Sequence, residues 1–206
     1  MRIVLENICK SYHGTRLFQH VNLSLTQPNS TAILGPNGSG KSTFLQVIAG
    51  YVSPTSGNIR MESDDHVISS SQYATHISMA APYLELPAEL SLEEMTSFHF
   101  RFKPLRHNAD LGHALESSGL ASHKQKAIRH LSSGMKQRVK LILALLADTP
   151  VVLLDEPTSN LDRQGIQWYR DLVNMHIRDR LCLVASNHQE NEYDFCDAVL
   201  DITDFK

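Results

Sequence analysis

GPNGSGKST, running from Gly35 to Thr43, is the stretch that decides the fold of this chain. An apolar run in residues 31–34 precedes it and predicts a buried strand, and the apolar face of a helix follows in residues 44–48. The glycines let the backbone curl so that its N–H groups point at an anion, and the positive end of the helix dipole adds to the attraction. A strand, a glycine-rich loop and a helix in this order predict a P-loop that binds ATP or GTP.

The residues of this loop are predicted to hold the phosphates of the nucleotide. Lys41 is expected to reach the β- and γ-phosphates, and the hydroxyl of Ser42 is expected to ligate Mg²⁺. The alternative, a glycine-rich turn that carries a lysine and a serine by chance, does not account for the flanking strand and helix. The predicted nucleotide contacts in the loop are Gly35, Pro36, Asn37, Gly38, Ser39, Gly40, Lys41, Ser42 and Thr43.

The composition favours one globular domain. The chain has 206 residues, of which 42% are hydrophobic, and a formal net charge of -3. This balance gives no global basic field, so we expect no nucleic-acid partner. Cys9, Cys182 and Cys196 cannot all pair within the chain and are expected to be reduced, cytosolic thiols. No apolar run approaches the roughly 20 residues of a membrane span, so we expect the chain to be soluble by itself.

A pair of carboxylates is expected at a second strand. The apolar run in residues 151–154 predicts a buried parallel strand, and Asp155 and Glu156 follow it directly. Because ligands of open parallel sheets lie at the carboxyl ends of the strands, we expect Asp155 to hold Mg²⁺ and Glu156 to act as general base on the attacking water. This is a Walker B pattern. Without the P-loop, two solvated acids that open a turn before Pro157 would be the default interpretation.

A serine-rich segment lies between these two motifs. LSSGM, residues 131–135, precedes the basic run KQR and an apolar helix face. By itself, a serine at this place is most often the N-cap of a helix. LSSGMKQR also resembles the LSGGQ signature of the ATP-binding cassette (ABC) ATPases, which in that family likewise stands just before Walker B. The resemblance implies that Ser132, Ser133 and Gly134 contact the γ-phosphate of an ATP held by the partner subunit.

The resemblance extends over about residues 1–202 and assigns three further positions. Tyr12, in KSYHG, matches the aromatic residue that stacks on adenine. Asp162, in SNLD, matches the loop that crosses the dimer interface, and the resemblance implies that it contacts the nucleotide. His188, which follows an apolar strand in residues 181–185, matches the switch histidine that contacts the γ-phosphate. Taken singly, Tyr12 would be a half-buried strand residue and His188 a surface or core histidine.

The fold implied is an α/β P-loop NTPase of the ABC ATPase type. It comprises a mainly parallel sheet core, an antiparallel N-terminal β-subdomain and an inserted helical subdomain. The sheet core is expected over about residues 1–81 and 148–206, and the helical subdomain over about residues 82–147. Ser91 and Glu94 predict a capping box that opens one of its helices. The polar segment 62–72 is expected to be a variable surface excursion.

Two departures from the family pattern are informative. The family has a glutamine near the position of Ala81 or Pro82, where it touches Mg²⁺ and leads into the region that contacts the membrane partner; Gln72 is too early to serve. We therefore expect this loop to couple ATP to the partner through Pro82 and Tyr83, with slower hydrolysis. The methionine of LSSGM, Met135, is similar to the ABC-2 class of exporters and favours export.

The number of motifs predicts the assembly. One P-loop and one signature make two half-sites, so the family pattern implies an ATP-driven, head-to-tail dimer, either a homodimer or a heterodimer with a second ABC ATPase. The resemblance also implies an integral membrane permease as partner and a peripheral position on the cytoplasmic face of the cell membrane. The alternatives are a soluble ABC ATPase acting on a ribosome or on DNA, and a P-loop kinase or non-hydrolysing adaptor. The transported substrate is not encoded in these motifs.

Overall fold

The computed structural model describes residues 1–64 and 66–206. The strands are β1 (Arg2–Tyr12), β2 (Thr15–Thr26), β3 (Asn29–Leu34), β4 (Ser56–Ser63), β5 (His66–Ile68), β6 (Ile77–Ala80), β7 (Val151–Asp155), β8 (Leu181–Ser186) and β9 (Ala198–Asp201). The helices are α1 (Lys41–Ile48), α2 (Tyr73–His76), α3 (Leu92–Phe102), α4 (Leu111–Ser117), α5 (Ser133–Leu146) and α6 (Arg163–His176), with short 3₁₀ turns between them.

The strands form two sheets in the described residues. One has the order β2-β1-β4-β5 and is antiparallel throughout. The other has the order β6-β7-β8-β3-β9 and is parallel throughout. Because every parallel strand runs in the same direction, the carboxyl ends of β3, β6, β7 and β8 meet at one edge, where ligands of such sheets bind.

The central strands β7 and β8 of the parallel sheet are buried on both faces, as their apolar residues require. Along β7, Val151 and Leu153 belong to the hydrophobic core that contains α1 and the antiparallel sheet, whereas Val152 and Leu154 belong to the core that contains α3, α5 and α6. This alternation follows from the two-residue period of a strand. It explains why the run in residues 151–154 is continuously apolar in the sequence.

An aromatic contact fixes the antiparallel sheet to the P-loop helix. Phe18 on β2 and Phe44 on α1 are both buried, and their rings meet edge to face with centroids 5.4 Å apart. This contact holds the end of β1, which carries Tyr12, on the same side of the molecule as the P-loop.

Three helices lie between β6 and β7 in the chain. The predicted capping box at the start of α3 is confirmed: Ser91 Oγ accepts a hydrogen bond from the Glu94 backbone N–H, and Glu94 Oε2 accepts one from the Ser91 N–H. The hydrogen bond from the Ser91 N–H also lowers the pKa of Glu94.

At the far end of α5, the buried guanidinium of Arg180 donates to the backbone oxygens of Leu145 and Thr149, at 2.8 and 2.7 Å. The end of α5 is thereby tied to β8.

The expectation that residues 62–72 form a surface excursion is wrong in part. Its first residues complete β4, and β5 pairs with β4 in antiparallel register, from Met61 opposite Ile68 to Ser63 opposite His66. Ile68 is buried among the core residues while Val67 is exposed, so a single apolar side chain anchors this strand. A strand of three residues shows too little alternation to be recognised in sequence. Asp65, in the same segment, lies outside the described residues.

The longest helices in residues 1–64 and 66–206, α5 and α6, have 14 residues each. In that part of the chain, no helix combines the length and the apolar character needed to cross a bilayer.

Candidate nucleotide-binding site

The P-loop turns sharply from β3 into α1, and glycine is required at two of its positions. Gly35 has φ 153°, and a Cβ there would lie 2.7 Å from Ser39 Oγ and 2.8 Å from a methyl carbon of Ile202. Gly40 caps α1 with φ 107°, in the left-handed region that other residues rarely adopt. The loop conformation thus depends on the glycines that the motif supplies.

The side chains of the loop line a cleft of about 310 Å³. Lys41 is 4% exposed, and its ammonium group donates to the loop's own carbonyl oxygens, Gly35 O at 2.7 Å and Pro36 O at 3.1 Å. The cation therefore lies over the loop that is predicted to receive the phosphates. The cleft is lined by Tyr12, Leu17, Asn37, Gly38, Gly40, Lys41, Ser42, Thr43 and Glu156.

Asp155 is a buried acid at the carboxyl end of β7. It is 1% exposed, and neither carboxylate oxygen has a hydrogen-bond partner of normal geometry among the described residues. Burial raises its pKa to about 6; the nearby Ser42 hydroxyl opposes this shift, and the charge of Glu156 adds to it. An unpaired buried carboxylate beside a serine hydroxyl fits a hard divalent cation, which supplies the missing compensation. Asp155 and Ser42 are therefore the residues that would hold Mg²⁺, and the ion would neutralise phosphate charge there.

Glu156 and His188 follow neighbouring strands. Glu156 lies just beyond β7 with φ 42°, and its backbone N–H donates to Ala185 O on β8 at 2.9 Å. The Glu156 side chain lines the P-loop cleft. His188 lies two residues beyond β8, is exposed and has φ 57°. Their roles as general base and γ-phosphate contact stay predictions.

A buried acid that the sequence did not single out joins these two turns. Glu192 is 1% exposed. Its Oε1 accepts hydrogen bonds from the Thr158 hydroxyl at 2.7 Å and from the Thr158 N–H at 3.2 Å, and its Oε2 accepts one from the Ser186 hydroxyl. Burial raises the pKa of this carboxyl group, and its hydrogen bonds oppose that shift. Glu192 therefore fixes the turn after Glu156 and the segment that leads to His188 relative to each other.

The LSSGM segment caps helix α5. The Ser132 hydroxyl accepts a hydrogen bond from the Met135 N–H at 3.2 Å, so Ser132 is the N-cap. A Cβ on Gly134 would lie 2.7 Å from the backbone oxygen of Asn160, which accounts for the glycine at this position. Ser132 and Ser133 are exposed. Ser133 and Asn160 line a groove of their own, and the residues lining the P-loop cleft do not include them.

Tyr12 and Asp162 have partners within the chain. Tyr12 is 43% exposed and lines the P-loop cleft, with the Lys10 ammonium group 4.5 Å from its ring centroid. Asp162 is the N-cap of α6, and its Oδ1 accepts hydrogen bonds from the Gly165 N–H and from Arg138, both at 2.8 Å. The Gly165 hydrogen bond is the main reason that the pKa of Asp162 is lowered. The contact of Asp162 with the nucleotide stays a prediction.

Comparison with known proteins identifies the family. The ABC transporter family matches residues 18–159, which include the P-loop, the LSSGM segment and Asp155-Glu156. The cytochrome c biogenesis ATP-binding export protein CcmA of Rhizobium meliloti is 31% identical over 196 residues, which cover 92% of each chain. The spermidine/putrescine import ATP-binding protein PotA of Fusobacterium nucleatum is 30% identical over 194 residues, 91% of this chain and 51% of the relative.

A solved structure agrees with this result. The protein cbiO1 of Clostridium perfringens, described as part of the ABC transporter complex cbiONQ, superimposes with a TM-score of 0.71 at 28% identity, covering 97% of this chain and 83% of that one. The chain therefore belongs to the ABC transporter family of ATP-hydrolysing domains, and the predicted fold and ATPase class are confirmed.

Proposed function

We propose that this chain is the ATP-hydrolysing subunit of a membrane transporter and that it works as a head-to-tail dimer closed by Mg-ATP. The observation that carries this proposal is the separation of the P-loop cleft from the groove that contains Ser133 and Asn160. A single chain offers one of each, so a complete site needs the P-loop of one subunit and the LSSGM segment of another. ATP would then join the subunits, and hydrolysis would release them.

Within this site, each residue has a proposed role. Lys41 and the loop backbone bind the phosphates, and Ser42 and Asp155 hold Mg²⁺. Glu156 takes the proton of the attacking water, and His188 contacts the terminal phosphate. The opening of the P-loop cleft toward Glu156 supports this arrangement. Tyr12, exposed at the rim of the same cleft, stacks on the base.

We further propose that residues of about 82–147 act as the subdomain that receives the membrane partner, through Pro82 and Tyr83. Both residues are exposed on the turn that follows β6. Ala81, by contrast, is fully buried, so a glutamine at that position would have to displace its neighbours. Because this chain has alanine where the family has the glutamine, we expect it to hydrolyse ATP more slowly than relatives that carry the glutamine.

Export is the direction that we favour. Relatives described as export and as import proteins both match this chain, so family membership leaves the direction open. The similarity of the signature methionine, Met135, to ABC-2 exporters supports export. The alignment with the export protein CcmA also covers nearly the whole of both chains. We propose that the subunit lies on the cytoplasmic face of the cell membrane, held there by its permease.

Affinity purification from detergent-solubilised membranes of the native host tests this function. We expect a polytopic membrane protein in stoichiometric amount with the tagged wild-type chain. The same amount is expected with Lys41→Ala, which changes the P-loop and leaves the proposed partner contact at Pro82 and Tyr83 intact. Tyr83→Ala, at the proposed contact, should recover less of it. Ribosomal proteins or DNA-repair factors without a membrane protein would overturn the proposal in favour of a soluble ABC ATPase.

A further inference from the structure

A lysine in the middle of helix α5 holds the turn that follows β6. The ammonium group of Lys140 donates to two consecutive backbone oxygens, Ala81 O and Pro82 O, each at 2.9 Å. The side chain is half-buried, and no carboxylate in residues 1–64 and 66–206 forms an ion pair with it. Burial lowers the pKa of Lys140, and the more distant charge of Glu85 opposes this shift. A charged donor is thus committed to main-chain carbonyls, and such bonds are stronger than neutral ones.

The turn that carries these two oxygens leaves the sheet beside Asp155. The β6–β7 register pairs Ala80 with Leu154, so Ala81 leaves the sheet next to Asp155. Ala81 O also accepts the Leu84 N–H at 3.2 Å, which closes the turn. The turn carries Tyr83, whose side chain is 41% exposed. Partial burial raises its pKa to about 12, with the Gln46 side chain opposing the shift and the Asp155 charge adding to it. Lys140 therefore fixes a turn that lies within electrostatic reach of Asp155.

The same helix face contacts a second turn of the site. Gln137, three residues before Lys140 and 2% exposed, donates from Nε2 to Pro157 O at 3.0 Å, just beyond Glu156. Positions three residues apart share one face of a helix. One helix thus holds the turns after both β6 and β7, and its first residues are the LSSGM segment. Lys140 is about two helical turns, or roughly 10 Å, from Ser133.

We propose that Lys140 is a positioning residue that makes the LSSGM helix and the turn of residues 81–84 move together when the ATP site closes. This inference rests on the proposed role of the LSSGM segment in the dimer site. The two hydrogen bonds from Lys140 to Ala81 O and Pro82 O connect helix α5 to the turn beside Asp155.

Lys140→Met tests this role because it removes the ammonium group and keeps the length and the apolar stem of the side chain. Lys140→Arg keeps a cationic donor. Lys103→Met is the matched control: Lys103 is also partly buried and donates to a backbone oxygen of β6, but to Ile77 O at 2.6 Å, at the other end of the strand. The variants are compared in steady-state ATP hydrolysis and in amide hydrogen exchange of residues 81–84.

We expect Lys140→Met to lower kcat about threefold to tenfold, with KM for ATP within about twofold of wild type, because the phosphate-binding residues lie on the P-loop. The Leu84 amide should exchange faster. Lys140→Arg should recover at least half of the wild-type kcat, and Lys103→Met should lower thermal stability without this loss of kcat or the faster exchange.

Equal kinetic effects of Lys140→Met and Lys103→Met would overturn the proposal, because the lysine would then only stabilise the fold. An effect on KM alone would also overturn it. If wild-type protein hydrolysed no ATP, the proposed function would fail, and hydrogen exchange would still decide whether Lys140 holds the turn.

Discussion

At the residue scale, Glu192 holds two turns of the site in place, although no contact between it and the nucleotide is predicted. Its buried carboxylate accepts three hydrogen bonds, two from Thr158 and one from Ser186. Its own backbone oxygen accepts the Tyr169 hydroxyl at 2.8 Å. In the sequence it stands in Gln-Glu-Asn-Glu, which is typical of an exposed polar turn. Only the tertiary structure shows that one of these acids faces inward.

Replacing Glu192 should separate packing from hydrogen bonding. We expect Glu192→Ala to lower the free energy of unfolding by about 3 kcal/mol, because three donors lose their acceptor and a cavity forms. Glu192→Gln should cost about 1 kcal/mol, since its amide oxygen can still accept from Thr158 while its NH₂ donates to Ser186 Oγ. Urea denaturation at pH 7.5 measures both values.

The exposed neighbour Glu190 provides the control. Glu190→Ala should change the unfolding free energy by less than about 0.5 kcal/mol. If Glu192→Ala were as mild as this control, the buried network would contribute little to stability. We also expect ATP turnover to fall in Glu192→Ala more than in Glu192→Gln, because the turns beside Glu156 and His188 lose their common anchor.

At the scale of elements, helix α3 is held against α5 by a half-buried histidine. His99 Nε2 lies 3.1 Å from Leu143 O, which requires the tautomer with a proton on Nε2. Burial lowers the pKa of His99 to about 4; the charge of Lys103 adds to this shift, and the Leu143 carbonyl opposes it. The folded protein thus keeps this imidazole neutral at a pH at which the unfolded chain would protonate it.

This shift predicts a loss of stability in acid. The folded-state pKa lies below the unfolded value of about 6.5, so the unfolded state binds the proton first as the pH falls. The stabilising contribution should be complete above about pH 6.5 and disappear progressively down to about pH 4. After allowance for the partial exposure of the ring, we expect this contribution to the free energy of unfolding to be about 2 kcal/mol.

The measurement compares the unfolding free energy of wild type and His99→Gln at pH 7.5 and pH 5. Glutamine cannot titrate and retains a donor, so the difference between the two proteins should shift in favour of the variant at pH 5. His107→Gln, at an exposed position, should show no such shift. A pH-independent difference for His99→Gln would contradict the assignment of a half-buried imidazole that stays neutral in the folded protein.

At the scale of the whole molecule, the parts that could be predicted are those with a strong local signal. A short stretch of sequence is enough to recognise three of these parts. They are the P-loop glycines, the continuous apolar runs of β3 and β7, and the capping box of Ser91 and Glu94. The three-residue strand β5 and the inward-facing Glu192 have no such signal. The contacts of Lys140 and Gln137 join segments 20 or more positions apart, so only the fold brings them together.

The assembly is the last property that follows from the whole chain. If a complete site needs the P-loop cleft of one subunit and the groove that contains Ser133 and Asn160 of another, blocking hydrolysis should leave the dimer closed on ATP. We expect Glu156→Gln to migrate as a monomer without nucleotide and with twice the monomer mass at saturating Mg-ATP, measured by size-exclusion chromatography with light scattering. The carboxylate is removed while the shape of the side chain is kept, so nucleotide binding should persist.

Two further variants decide whether the dimer has the proposed geometry. Adding Lys41→Ala to Glu156→Gln should abolish the dimer by weakening phosphate binding. Adding Gly134→Arg, which fills the space beside Asn160 O, should abolish it while a fluorescent ATP analogue still binds the monomer. The first double variant keeps an intact LSSGM segment, and the second keeps an intact P-loop. Mixing the two should therefore restore one complete composite site and form a weaker heterodimer. A Glu156→Gln protein that binds Mg-ATP and stays monomeric would instead indicate that the second half-site belongs to a different ABC ATPase.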